Sequence, residues 1–149
     1  MNEVIVNSKM KLSEHFKLGE LCKTSHKTAD GNIPSHVVIE NLKRLCPWLE
    51  ELRRRYNEPI IINSGYRSPA VTKLAGGAAN SNHLTGCAVD IRCAGKEQMI
   101  RYASILLDIA DGTKQEFDEL LLEQHGSVCW LHFAVRPQEN RRKIGFLKG

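Results

Sequence analysis

Several features are missing from this sequence, and each absence narrows what the chain can be. No apolar run approaches the length of a membrane span, so stable insertion in a bilayer is not expected. The opening stretch "MNEVIVNSKMKLSEHF" lacks a basic start followed by an apolar stretch of signal-peptide length. Synthesis in the cytoplasm without a signal peptide is therefore expected, with any later action elsewhere depending on release by another factor. There is no CxxC spacing, and the five cysteines (Cys22, Cys46, Cys87, Cys93 and Cys129) are odd in number. That argues against a disulfide framework and for buried thiols in a chain folded under reducing conditions. Internal repeats and low-complexity segments are absent too. The basic run "RRK" at Arg141 to Lys143 has no aromatics interleaved with it, so it reads as part of a solvated basic tail, 137–149. No nucleic-acid partner is expected.

What is present describes an ordinary soluble protein. At 149 residues, 42% apolar and 26% charged, the chain fits a single domain, 1–149, able to bury a core without staples. A lead-in segment is expected over 1–15, and a monomer is expected. The 21 Lys and Arg against 17 Asp and Glu leave a net charge of +4, a mild bias toward anionic neighbours.

Periodicity places the elements. A short helix is expected at Leu18 to Lys23, and "ADGNIP" is a turn. Ser35 caps a helix from His36 to Tyr56, whose apolar positions Val38, Ile39, Leu42, Leu45, Leu49 and Leu52 recur at three and four. Pro47 predicts a kink or a break in it. Pro59 to Asn63 reads as a strand, and a short helix runs from Ser68-Pro69 to Leu74. "CAVDIRC" is a strand with Asp90 and Arg92 on one face and Val89 and Ile91 on the other. "KEQMIRYASILLDIA" is a helix burying Met99, Ala103, Leu106 and Ile109. "FDELLLEQ" and "CWLHFAV" pair through a tight turn at "HGSV". The sum is an α+β fold with a mainly antiparallel sheet and flanking helices.

One stretch stands out: "SGYRSPAVTKLAGGAANSNHLTGCAVDI", rich in small residues yet carrying Arg67, His83 and Asp90. Asp90 sits in an otherwise apolar strand, and a buried carboxylate must be ion-paired, hydrogen-bonded or metal-bound. Arg67 or Arg92 could pair with it. The alternative is a metal site with His83 and His132, since His and carboxylate ligands suit zinc with one position left open. Gly86 would let the backbone bring His83 and Asp90 to one point.

"SGYRSP", "SNHLTGCAVDI" and "WLHFAV", taken in that order, resemble the zinc peptidases of the D-alanyl-D-alanine carboxypeptidase family, M15, which include murein-cleaving endolysins of phages. The pattern S-x-H-x-x-G-x-A-x-D is met by Ser81, His83, Gly86, Ala88 and Asp90, and W-[hydrophobic]-H by Trp130, Leu131 and His132. The likeness runs from about Phe16 to about Asn140 and takes in "FKLGELCKTS" and "IPSHVVIENLKRLC". It implies a hedgehog/DD-peptidase-like fold with zinc held by His83, Asp90 and His132. Arg67 would hold a substrate carboxylate or the oxyanion, a task its fixed charge and fork of donors suit. Ser81 would bond to substrate or to its own loop, and Trp130 would line the cleft or cover the sheet.

A zinc hydrolase also needs a carboxylate as general base. Several relatives carry a Glu three residues before the last His, where this chain has Cys129. "DELLLEQ" resembles a "QLILE"-like segment of other branches, which implies Glu123 instead. If "HGSV" is the turn, Glu123 lies opposite Trp130 and shares a face with His132. A slip of one residue would leave it a solvated Glu beside Glu119. The implied activity is hydrolysis of D-Ala-containing stem peptides of bacterial cell-wall peptidoglycan by metal-activated water. The alternative is a catalytically inactive zinc-containing binding module of the same fold.

Overall fold

The computed structural model describes residues 7–149; the first six residues of the expected lead-in segment lie outside the described residues. The helices are α1 (Leu18–Leu21), α2 (His36–Tyr56), α3 (Pro69–Leu74) and α4 (Lys96–Thr113). The strands are β1 (Ile62–Ser64), β2 (Ala88–Cys93), β3 (Glu119–His125), β4 (Val128–Ala134) and β5 (Lys143–Lys148), in the sheet order β1-β2-β4-β3-β5. Every pairing is antiparallel except β3 with β5, so the fold is α+β with a mainly antiparallel sheet.

Helix α2 begins where a cap allows it: the Ser35 side chain accepts from Val38 N. The expected break at Pro47 does not occur. The proline ring removes one backbone donor, but Pro47 is exposed, so the carbonyl it leaves unpaired, that of Lys43, also lies on a solvent-facing turn. The opposite face of α2 buries Leu42, Leu45, Leu49 and Leu52 completely. With Met99, Tyr102, Leu106 and Ile109 of α4, these side chains pack against one face of the sheet. That face presents Val89, Ile91, Leu120, Leu122, Leu131 and Phe133.

Besides shifts of two or three residues at the ends of α1, α4 and β3, two larger differences from expectation occur. The first strand spans Ile62–Ser64 instead of Pro59 to Asn63: residue pairing with β2 begins with Ile62 opposite Ile91, and Ile61 contributes only its carbonyl, which accepts from Arg92 N at 2.9 Å. The segment 137–149, expected as a solvated basic tail, carries β5. Arg141 is held by Asp118, Arg142 reaches Asp111 at 3.0 Å, and the next six residues pair with the outer edge of β3. An unpaired edge strand presents a row of free N–H and C=O groups, and β5 satisfies those of β3.

Candidate metal centre

The face of the sheet turned away from the helices carries the polar residues. Strand β2 pairs with β4 so that Asp90 lies opposite His132, and β3 pairs with β4 so that Glu123 lies opposite Trp130. The hairpin between β3 and β4 closes through His125 opposite Val128, with Gly126 at φ +61. The register expected from "HGSV" is thus the one observed, and Glu119, Glu123, His132 and Asp90 share a face.

His83 reaches this face from a 3₁₀ turn, Asn82–Thr85, that follows the small-residue loop. The Ser81 hydroxyl caps that turn by accepting from His83 N at 3.1 Å. At its far end Gly86 has φ +75, and a Cβ there would stand 2.8 Å from both a side-chain carbon and the carbonyl oxygen of Val38. Only glycine allows the turn to lie this close to α2 before entering β2. The His83 ring is anchored from behind: its Nδ1–H donates to the Gly65 carbonyl at 2.6 Å. Gly65 is itself pressed against α1, where a Cβ would meet the Leu21 carbonyl oxygen at 2.2 Å. The turn residue Asn32 completes the support, bonding Cys22 O, Tyr66 O and Ser68 N.

With Nδ1 engaged, His83 points Nε2 at Asp90 Oδ1, 3.3 Å away, and His132 Nδ1 approaches the same oxygen at 3.1 Å. The two rings are 5.1 Å apart, edge to face. One ligand atom from each of His83, Asp90 and His132 falls within 4.8 Å of the others, and all three residues are buried. These side chains could hold a metal ion, and their donor set of two imidazoles and a carboxylate fits zinc. The second Asp90 oxygen, Oδ2, accepts from Arg67 Nη2 at 3.1 Å. The ion pair and the histidine cluster therefore coexist, one on each carboxylate oxygen; Arg92 is exposed.

Electrostatics follow from that packing. Burial works against the charge on Asp90, but its bonds to His132 and His83 outweigh it and hold the carboxyl below the usual range. Burial alone would depress His132, yet Asp90 and Glu119 overcome it and raise the imidazole to about 9. Glu119, bonded to His132 against the opposing effect of burial, falls to about 2. Glu123 moves the other way: burial, reinforced by the Asp90 charge, raises it above an ordinary glutamate. Among the described residues its one side-chain hydrogen bond comes from Trp130 Nε1 at 3.0 Å.

These groups line a cleft of about 420 Å³ whose walls include Arg67, Ser81, His83, Asp90, Glu123, Trp130 and His132. All the residues singled out in the sequence meet here. The cleft also contains Asn82, Glu119, Arg136, Arg141 and Lys143, which sequence reasoning did not place in it. Glu119 carried a usable signal, since it lies four residues before Glu123 in one strand and so on the same face.

A family model for Peptidase M15 matches residues 14–120, most of the chain. The chain belongs to the Peptidase M15 family. The matched region contains Arg67, His83 and Asp90 and ends within β3, so Glu123 and His132 lie beyond it. No curated protein matches the chain. Membership makes this chain a peptidase of a typically metal-dependent kind, acting on a peptide. Among the described residues no helix is long and apolar enough to cross a membrane.

Proposed function

We propose that this M15 peptidase is zinc-dependent and hydrolyses peptide bonds in the D-Ala-containing stem peptides of bacterial peptidoglycan, acting on the wall as a monomer. The observation that carries this reading is the convergence of His83, Asp90 and His132 at the floor of a cleft edged by Glu123 and Arg67. A bound zinc ion supplies a Lewis acid for the scissile carbonyl and lowers the pKa of a water.

The chain's own residues supply the rest. Glu123 is the general base: half-buried, on the cleft face, held by one indole N–H and with a raised pKa, it is suited to take a proton from water. It then returns that proton to the leaving amine nitrogen. Arg67 uses Nε on Ser64 and one Nη2 bond on Asp90, which fixes the guanidinium and leaves further N–H groups for a substrate carboxylate or the oxyanion. Ser81 accepts from its own loop, and its O–H remains able to donate to substrate. Trp130 and Leu121 provide apolar wall, and Lys143 adds a cation to the lining, in keeping with a substrate that bears free carboxylates; Arg136 and Arg141 also line the cleft but are paired with Asp118.

The test is mass spectrometry of purified wall peptides incubated with zinc-loaded protein beside a chelated control. Loss of a terminal D-alanine, or splitting of cross-linked dimers, only in the zinc sample would establish the activity and name the bond. Unchanged peptides across several wall chemistries, with zinc retained, would instead favour a binding module.

A further inference from the structure

Two carboxylates of β3 face the cleft, and their surroundings differ. Among the described residues Glu123 has a single side-chain donor, Trp130. Glu119 Oε1 is taken twice, by His132 Nε2 at 3.0 Å and by Asn82 Nδ2 at 2.6 Å, while Oε2 lies 3.6 Å from Arg141 Nη2. Asn82 is buried and fully committed: its other amide hydrogen goes to Asp118 Oδ2 at 2.8 Å, and its Oδ1 accepts from Arg136 Nε at 2.9 Å. Asp118, wholly buried, is fixed in turn by Arg136 and Arg141. Each donor meets an acceptor along this path, so the amide of Asn82 cannot flip without leaving a buried group unpaired.

We infer that Glu119 is a positioning residue for His132: by accepting from Nε2–H it fixes the ring so that Nδ1, the atom beside Asp90, faces the metal. This rests on the metal reading proposed above. The geometry supports it on three counts. A histidine ligand presents one nitrogen to the metal only if the other nitrogen carries the proton, and a carboxylate placed at that proton selects the tautomer and raises the basicity of the ligand atom. His83 is held in the mirror-image way, with Nδ1–H on Gly65 O and Nε2 toward Asp90. Finally, Asn82 precedes His83 in the chain and bonds Glu119, so one side chain ties the support of His132 to the turn that carries His83.

The experiment is zinc affinity, measured by competition with a chromophoric chelator, for the parent, Glu119→Gln and Glu119→Ala. Melting of each zinc-free protein and the ¹⁵N spectrum of His132 in each zinc-loaded one complete the set. The Ala variant is expected to bind zinc about 10–100-fold more weakly, as for other supports of metal-bound histidines. The Gln variant, which keeps an acceptor oxygen without the charge, should fall between. The His132 Nε2–H resonance should be protected from exchange in the parent and lose that protection in the Ala variant, an effect that simple destabilisation would not produce. Affinities within twofold across all three proteins would overturn the inference while leaving the metal reading intact. If the Ala variant does not fold, an affinity of the Gln variant within twofold of the parent overturns it equally. A parent chain that takes up no zinc overturns both.

Discussion

The two faces of the central strands β2, β4 and β3 are built from alternating residues of the same chain, and they do different work. Toward the helices stand Val89, Ile91, Leu120, Leu131 and Phe133, all without solvent exposure, together with Leu122. Toward the cleft stand Asp90, His132, Glu119, Glu123 and Trp130, each meeting a polar partner on the face or at its edge. On the first face free energy comes from burying apolar area, which has no directional demand. On the second, each buried charge depends on the placement of a specific neighbour. The difference teaches that stability and chemistry are separable here, because a strand's period of two assigns them to alternate positions.

The sharpest separation is expected at Glu123. Replacing it by Gln keeps the size of the side chain and its place opposite Trp130 but removes the base. Turnover should fall about 100- to 10,000-fold, the usual contribution of a positioned acid–base group. Zinc content and melting temperature should stay at the parent's values. Hydrolysis rates on a defined wall peptide, with metal analysis of the same sample, check it; an undiminished rate would remove Glu123 from the mechanism.

The matching change on the other face is Phe133→Ala. Phe133 is fully buried and packs against Trp48 and Phe117, with ring centroids 5.1 and 5.8 Å away. Losing it should cost about 3–5 kcal/mol in denaturant unfolding. Below the new melting point, zinc affinity should remain close to the parent's. A large loss of zinc affinity in the folded variant would show that the two faces are coupled through β4.

Much of this division was legible beforehand, and the failures are as physical as the successes. The alternation of "CAVDIRC" and "CWLHFAV" and the two-residue turn between the last predicted strands fixed which side chains share a face, hence the meeting of Asp90, His132 and Glu123. The Ser35 cap placed α2, and the Ser68-Pro69 dipeptide placed α3, within a residue of where they lie. Of the two outcomes expected at Pro47, the break did not occur, because its penalty depends on whether the freed carbonyl reaches water, which a sequence does not state. The strand β5 was missed because "KIGFLK" pairs in parallel with β3, a contact set by the edge it covers and by no local turn. Asp118 and Asn82 gave no signal at all: their importance arises from their own burial and from pairing with two more exposed arginines, brought from 18 and 23 residues away along the chain from Asp118.

That buried cluster offers a test of intermediate size. Burial would raise Asp118, but Arg141, Asn82 and Arg136 outweigh it and bring its carboxyl from 3.8 down to about 2. A carboxylate whose folded pKa is depressed adds stability above its unfolded pKa and loses it as pH falls through the folded value. About 2 kcal/mol should therefore disappear between pH 4 and pH 2. In Asp118→Asn, urea unfolding over the same range should show a correspondingly weaker acid dependence. An unchanged slope would mean that other carboxylates, not Asp118, govern acid unfolding.

The smallest effect is expected where the chemical face tunes itself. The Trp130 indole N–H donates to Glu123 Oε2 and opposes the burial that raises the carboxyl. Trp130→Phe keeps an aromatic wall and deletes only the donor. Without it the ionised glutamate is less favoured, so its pKa rises further; since the base must be ionised, the acid limb of the rate profile should move to higher pH. A hydrogen bond to a charged group contributes about 1.5–3 kcal/mol when buried, and Glu123 is only half-buried, so the shift should be up to about one pH unit. At higher pH, where Glu123 is ionised in both proteins, the rates should converge. A limb that stays in place, or moves to lower pH, would show that the group titrating in the profile is not Glu123.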